Sequence, residues 1–248
     1  MGYSIEIIFF IMLVFAVAGV IKGVVGLGLP PVVLGLLTTV VGIHPAMSLV
    51  ALPAFITNAY QAMAGHYART LFQEHWAFFF SATLSIGAGC WLTLKVEPSY
   101  ISLILGVLLS LHAIAGLSNF RVIIPPQWKK AFGVAMGTCN GIFTGLTGSS
   151  AVPGVFYLQS SELPKEQLVQ AMGILFTFSS AGLALGLFFQ NLLTLSSSAL
   201  SIVALLPAIA GMFIGGRIRK RLSVVMFQRL FFISLFMLGG YIAIIPLS

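Results

Sequence analysis

Apolar residues run along this chain in ten blocks separated by short polar connections. The first five blocks cover residues 5–26, 29–42, 46–64, 76–94 and 100–118, and a second series covers 131–148, 150–160, 167–189, 196–215 and 224–246. Most of them approach the roughly 20 residues that carry a helix across a hydrocarbon core. The second block of each series, Leu29 to Gly42 and Ser150 to Ser160, is too short to span and follows a Gly-rich stretch. Short segments interrupted by Gly or Pro at matching places in two halves of a chain predict broken or re-entrant helices. The expected fold is an all-α integral membrane protein, a single membrane domain over residues 1–248, built from two inverted-topology repeats of about five segments each. The first repeat is expected over residues 1–120 and the second over 128–248.

The charges between the blocks fix an orientation. Arg69 follows the third block, Arg121, Lys129 and Lys130 follow the fifth, and Arg217, Arg219, Lys220 and Arg221 follow the ninth. An even number of crossings separates these connections, so all three can lie in the cytoplasm together, as the positive-inside rule requires. Both termini then fall outside, and the two halves enter the bilayer with opposite polarity. Glu6 stands at the start of the first apolar run and no Lys or Arg precedes it, so that run is expected to be an uncleaved helix in place of a signal peptide.

Composition narrows the function. The chain is 59% hydrophobic and 7% charged, against roughly 25% charged in a soluble domain. The net charge of +7 resides in the connections, so it reports orientation and not a nucleic-acid partner. Cys90 and Cys139 form no spaced framework, and there is no aspartate; Glu6, Glu74, Glu97, Glu162 and Glu166 all lie in or next to connections. A metal cage, an acid relay or a hydrolytic triad therefore lacks its parts, and neither a cofactor nor a metal is expected.

Candidate chemistry lies in the Gly clusters and a few polar residues at membrane depth. Gly133, Gly137, Gly141 and Gly145 recur every fourth position, as do Gly19/Gly23, Gly182/Gly186 and Gly211/Gly215, a spacing that lets helix backbones approach closely. The stretches from Gly23 to Pro31 and from Gly141 to Gly154 differ, because Gly26, Gly28 and then Gly148, Ser149, Ser150 run into proline, where a helix must break. Broken helix ends expose N–H groups that suit an anion. Lys22 lies deep in the first block, where a lysine costs roughly 2.5 to 3.5 kcal/mol and is a functional candidate unless it snorkels to the surface. Thr57, Asn58 and Gln61 share the third block, and Tyr157, Gln159, Gln170, Thr177, Ser179 and Ser180 supply donors in the second half; each either bridges helices or binds solute. His112 lies mid-segment, as a helix-to-helix hydrogen bonder or a titrating group.

At these residues the chain resembles a known family. Gly19-Val-Ile-Lys22-Gly23-Val-Val-Gly26-Leu-Gly28-Leu-Pro30, with Leu52-Pro53 and Thr57-Asn58-Ala-Tyr-Gln61, is similar to the first repeat of the TauE/SafE sulfite exporters. Val152-Pro153-Gly154-Val-Phe-Tyr157-Leu158-Gln159, Leu163-Pro164 and Leu168-Val-Gln170-Ala-Met-Gly173 resemble the second. Many members carry a fuller glycine run than Gly26-Leu-Gly28 and Gly148-Ser-Ser. The resemblance implies outward transport of sulfite, thiosulfate, sulfonates such as sulfoacetate, or related organic anions.

Together these readings give a secondary transporter for a small sulfur-containing anion, multi-pass in a cell membrane, a bacterial inner membrane being expected. No nucleotide-binding fingerprint is present, so a gradient must drive it. A passive anion channel and a membrane-embedded enzyme are the alternatives. The expected partners are a small organic or inorganic anion and the lipid bilayer, with a homodimer as an option. The expected substrate-binding residues are Lys22, Gly26, Gly28, Thr57, Asn58, Gln61, Gly148, Ser149, Ser150, Tyr157, Gln159, Gln170 and Thr177.

Overall fold

The computed structural model describes residues 3–118, 124–219 and 223–244. Among these residues ten α-helices follow one another: α1 (Ile5–Val25), α2 (Leu29–Val41), α3 (Ile43–Met63), α4 (Ala68–Thr93), α5 (Pro98–Ser118), α6 (Lys129–Thr147), α7 (Gly154–Ser160), α8 (Lys165–Phe189), α9 (Leu195–Arg219) and α10 (Val224–Ile244), with a 3-10 turn at Pro126–Trp128. Six of them, α1, α4, α5, α8, α9 and α10, are long and apolar enough to cross a membrane. The 21-residue α3 and 19-residue α6 match them in length but carry Thr57, Asn58 and Gln61, or Asn140, Thr144 and Thr147. Polar residues at that depth belong on helices that face the protein interior.

The helix ends follow from local chemistry. Ser4 caps the start of α1, its hydroxyl accepting from the Ile7 N–H at 3.4 Å. Gly26 ends α1 at φ 87°, its N–H donating to the Lys22 carbonyl at 2.8 Å, and Gly148 ends α6 at φ 79°, donating to the Thr144 carbonyl at 2.8 Å. These left-handed positions favour glycine. The two predicted breaks thus use one device, and each is followed by a short helix: α2 has 13 residues and α7 has seven. At a rise of about 1.5 Å per residue neither spans a hydrocarbon core of about 30 Å.

Two helix starts differ most from the hydropathy pattern. The fourth helix begins at Ala68, not near residue 76, because its first turns carry Arg69, Gln73, Glu74 and His75; hydropathy ignores them, while backbone bonding does not, and the helix bends at His75 (φ −113°, ψ 18°). The seventh begins at Gly154 and not at Ser150, since residues 149–153 leave the break as irregular backbone and a turn. Arg121, Lys220 and Arg221 lie outside the described residues.

Packing pairs the two halves helix by helix. The main partners are α1 with α9, α4 with α6, α5 with α10 and α3 with α8. This set maps onto itself when the first five helices are exchanged for the last five in order. Glycine makes the closest pairs. A Cβ added at Gly19 or Gly211 would run into the carbonyl of Ala208 or Ala16, and one at Gly137, Gly141 or Gly145 into the carbonyls of Phe78, Ala82 or Ile86. Small-residue stripes in a bilayer do this by bringing backbones together, so packing accounts for these glycines. The residue order also gives direction. Ala16 and Val20 meet Gly211 and Gly215, so α1 and α9 run the same way; Gly106 meets Ala243 and Gly116 meets Phe232, so α5 and α10 run opposite ways.

One bond across the halves repairs a backbone defect. Pro53, inside α3, has no N–H to give the carbonyl of Leu49. That carbonyl accepts the Ser201 hydroxyl of α9 at 2.8 Å.

Candidate anion-binding site

Lys22 occupies the last turn of α1 and is 3% exposed. Its ammonium donates to Asn58 Oδ1 of α3, itself fully buried, so the side chain turns into the protein and does not snorkel. Gly26 stops the helix one turn later, and a cation at a helix C-terminus interacts favourably with its dipole. Among the described residues no carboxylate lies within ion-pair distance of Lys22: the only ion pairs join Glu74 to Lys129 and, at 4.0 Å, to His75. Asn58 Nδ2 is also buried without an acceptor among the described residues. A buried cation and an adjacent buried amide donor, with no anion to receive either, form an arrangement that is costly alone and satisfied by an anionic guest.

One helical turn along α3 from Asn58, Ala54 borders a narrow space between the two breaks. Pro30, Val50, Ala51 and Ala54 wall one side; Thr144, Gly148, Ser150, Ser179, Ser180 and Leu183 wall the other. It is too narrow for a water-sized molecule in this conformation. The Ser179 hydroxyl is buried here without a hydrogen-bond partner among the described residues. Ser149 and Ser150 are buried beside the break, and the Ser149 N–H donates to Thr147 Oγ1 at 3.3 Å.

The helix ends contribute fewer donors than their position suggests. Of the first three residues of α2, Pro30 and Pro31 have no N–H. At α7, the Gly154 N–H is taken by Asn140 Oδ1 at 2.9 Å, and the Val155 and Tyr157 N–H groups by the carbonyls of Ala151 and Pro153. Gly28, at φ 114°, packs against Ile21 and Phe231. Side chains, and Lys22 above all, dominate the local donor set.

The remaining sequence candidates divide. Gln61 and Gln170 form a reciprocal clamp: Gln61 Nε2 donates to the Val169 carbonyl of α8 and Gln170 Nε2 to the Ala62 carbonyl of α3, both at 2.8 Å, while Gln170 Oε1 accepts from the Tyr67 N–H at 2.9 Å. Thr57 and Thr177 turn back onto their own helices, donating to the Pro53 and Gly173 carbonyls at 2.7 Å. Tyr157 sits on the α4 side, its hydroxyl 3.2 Å from His75 Nδ1 and its ring stacked on Phe78 at 4.3 Å. Gln159 is half-buried near the end of α7, and its side chain enters no hydrogen bond among the described residues. Lys22, Gly26 and Asn58 are therefore brought together, and Gly148, Ser149 and Ser150 gather at the other break.

Asn140 and Thr144 were missed by the sequence reading. Their signal was present, as polar residues one turn apart inside the Gly133 to Gly145 run, but the glycine spacing drew attention to packing. His112 makes no helix-to-helix bond: both ring nitrogens are buried without a partner among the described residues, and its ring meets Phe232 edge-on at 5.6 Å.

The family model described as Sulfite exporter TauE/SafE matches residues 11–242, nearly the whole chain. A search of curated proteins and a search of solved structures each find no match.

Proposed function

Since the chain belongs to the sulfite exporter TauE/SafE family, we propose that it is a secondary transporter that exports a small sulfur-containing anion, such as sulfite, thiosulfate or a sulfonate like sulfoacetate, by alternating access across the cell membrane. The observation that carries this reading is Lys22, a buried cation beside Asn58 with no carboxylate partner. Its anion comes from solution and can leave again. The negative interior of a cell drives a monovalent anion outward by about 2.3 kcal/mol per 100 mV, so export needs no bound nucleotide.

Alternating access follows from two inverted repeats around a site between them. The self-mapping of helix partners and the antiparallel course of α5 and α10 support such repeats, with boundaries at residues 1–120 and 128–248. The proposed topology places the ends of α3 and α9 and the start of α6 in the cytoplasm and both termini outside. A C-terminal alkaline phosphatase fusion is expected to be active and a C-terminal green fluorescent protein fusion dark; the reverse result would end the inverted topology.

Counterflow in proteoliposomes tests the transport reading. Vesicles preloaded with unlabelled sulfite, thiosulfate or sulfoacetate should take up the labelled anion faster than empty ones, and a non-sulfur control anion should give less stimulation. Uptake indifferent to preloading would identify a channel, and chemical conversion of the anion an enzyme.

A further inference from the structure

A cavity of about 600 Å³ opens at the end of the molecule where α3 and α9 finish and α8 starts. Its charged wall is Lys165, Glu166 and Arg219, and its inner wall includes Gln61, Val169 and Gln170. Arg217, beside Arg219 in the last turn of α9, and Arg69, in the first turn of α4, lie at the same basic end of the fold. We propose that this vestibule is a second anion site, which captures a small oxyanion from water before it reaches Lys22, with Arg219 and Lys165 as its cationic ligands and Glu166 as an opposing charge that keeps capture reversible.

Three observations carry the proposal. First, Lys165, Glu166 and Arg219 enter none of the ion pairs found among the described residues, so the two cations are not neutralised by the carboxylate next to them. Arg219 is half-buried and lines the cavity; the fork geometry of arginine suits oxyanions. Second, the cavity is roomy enough to admit an anion with part of its water shell, whereas the space between the breaks is closed. Third, the floor touches the first site. Val169 lies against Gly26, its Cγ1 3.7 Å from where a Cβ there would stand, and Gln61 is three residues from Asn58 on the same helix face. The Gln61 and Gln170 bonds that join α3 to α8 close this floor. The floor of the cavity thus adjoins residues of the Lys22 site. That floor moves if α3 and α8 part.

The proposal rests on the transport reading, and the test separates the two. Thiosulfate uptake would be measured in sealed vesicles of each orientation, so that the basic end and the opposite end are presented in turn. The Lys165→Gln/Arg219→Gln double variant is expected to raise the KM for thiosulfate about tenfold when the basic end faces it, with kcat unchanged and with KM from the opposite end unchanged. Glu166→Gln should lower the KM at the basic end, an opposite sign that no loss of folding produces. Both effects should shrink at about 1 M sodium chloride, where charges are screened within about 3 Å. If Lys22→Gln stops uptake while these variants leave the KM at the basic end untouched, or change KM equally from both ends, the vestibule site is overturned and the transport reading stands. If the wild-type protein moves none of thiosulfate, sulfite and sulfoacetate, the transport reading falls and takes the vestibule with it.

Discussion

Lys22→Gln is expected to weaken anion binding about 10- to 150-fold, the loss of one charge-assisted hydrogen bond worth about 1.5 to 3 kcal/mol. Glutamine keeps much of the length and a donor but removes the charge, so the α1–α3 contact with Asn58 can persist while the electrostatic attraction is lost. Folding should therefore survive, and indeed improve, because a buried cation without a carboxylate is itself costly. Asn58→Ala should weaken binding less, about 2- to 13-fold, since a neutral hydrogen bond is worth about 0.5 to 1.5 kcal/mol net. Binding is read from the concentration dependence of counterflow in purified, monodisperse protein. Wild-type counterflow by Lys22→Gln for every anion tested would leave Lys22 as a structural residue and move the site to the Thr144, Ser150 and Ser179 wall.

The second large effect is on stability. Gly145→Ala is expected to destabilise the protein by about 1 to 3 kcal/mol or more, the cost of overpacking a tight contact. A methyl group there would enter the Ile86 carbonyl and approach the Cys90 N–H of α4, and both are helix backbone, which cannot rotate aside as a side chain can. Gly87→Ala, on the lipid-facing side of α4 with nothing near its Cβ position, should be neutral or slightly stabilising, because alanine is the better helix former by about 1 kcal/mol. Thermal unfolding in detergent compares the two directly. Equal melting temperatures for Gly145→Ala and Gly87→Ala would mean that α4 and α6 separate at little cost.

The contrast between these glycines explains what the sequence could and could not disclose. The apolar blocks placed all ten helices because length and hydropathy are local properties, and Gly26 and Gly148 marked both breaks because a left-handed helix end favours glycine. Where side chains point is not local. Lys22 could have faced lipid, water or protein from the same position in the sequence, and only the approach of α3 brings Asn58 to it. Gln61 and Gln170 are polar and deep, as ligands would be, and it takes the approach of α8 to show that each also reaches a backbone carbonyl of the other's helix. Asn140 was obscured for the opposite reason. Its amide receives the first N–H of α7 across the second break, a long-range contact that no spacing announces.

The bond from Ser201 to the Leu49 carbonyl joins residues 152 positions apart, and the α1–α9 glycine face likewise joins the first helix to the ninth. At a synthesis rate of about 5 to 20 residues per second, the ribosome needs about 8 to 30 s to make the stretch between Leu49 and Ser201. Throughout that interval α9 is unmade, so the glycine face of α1 and the Leu49 carbonyl freed by Pro53 are without their partners. Biogenesis of this protein therefore passes through a half-inserted chain whose polar groups must be sheltered by lipid headgroups, water or the insertion machinery until α9 arrives.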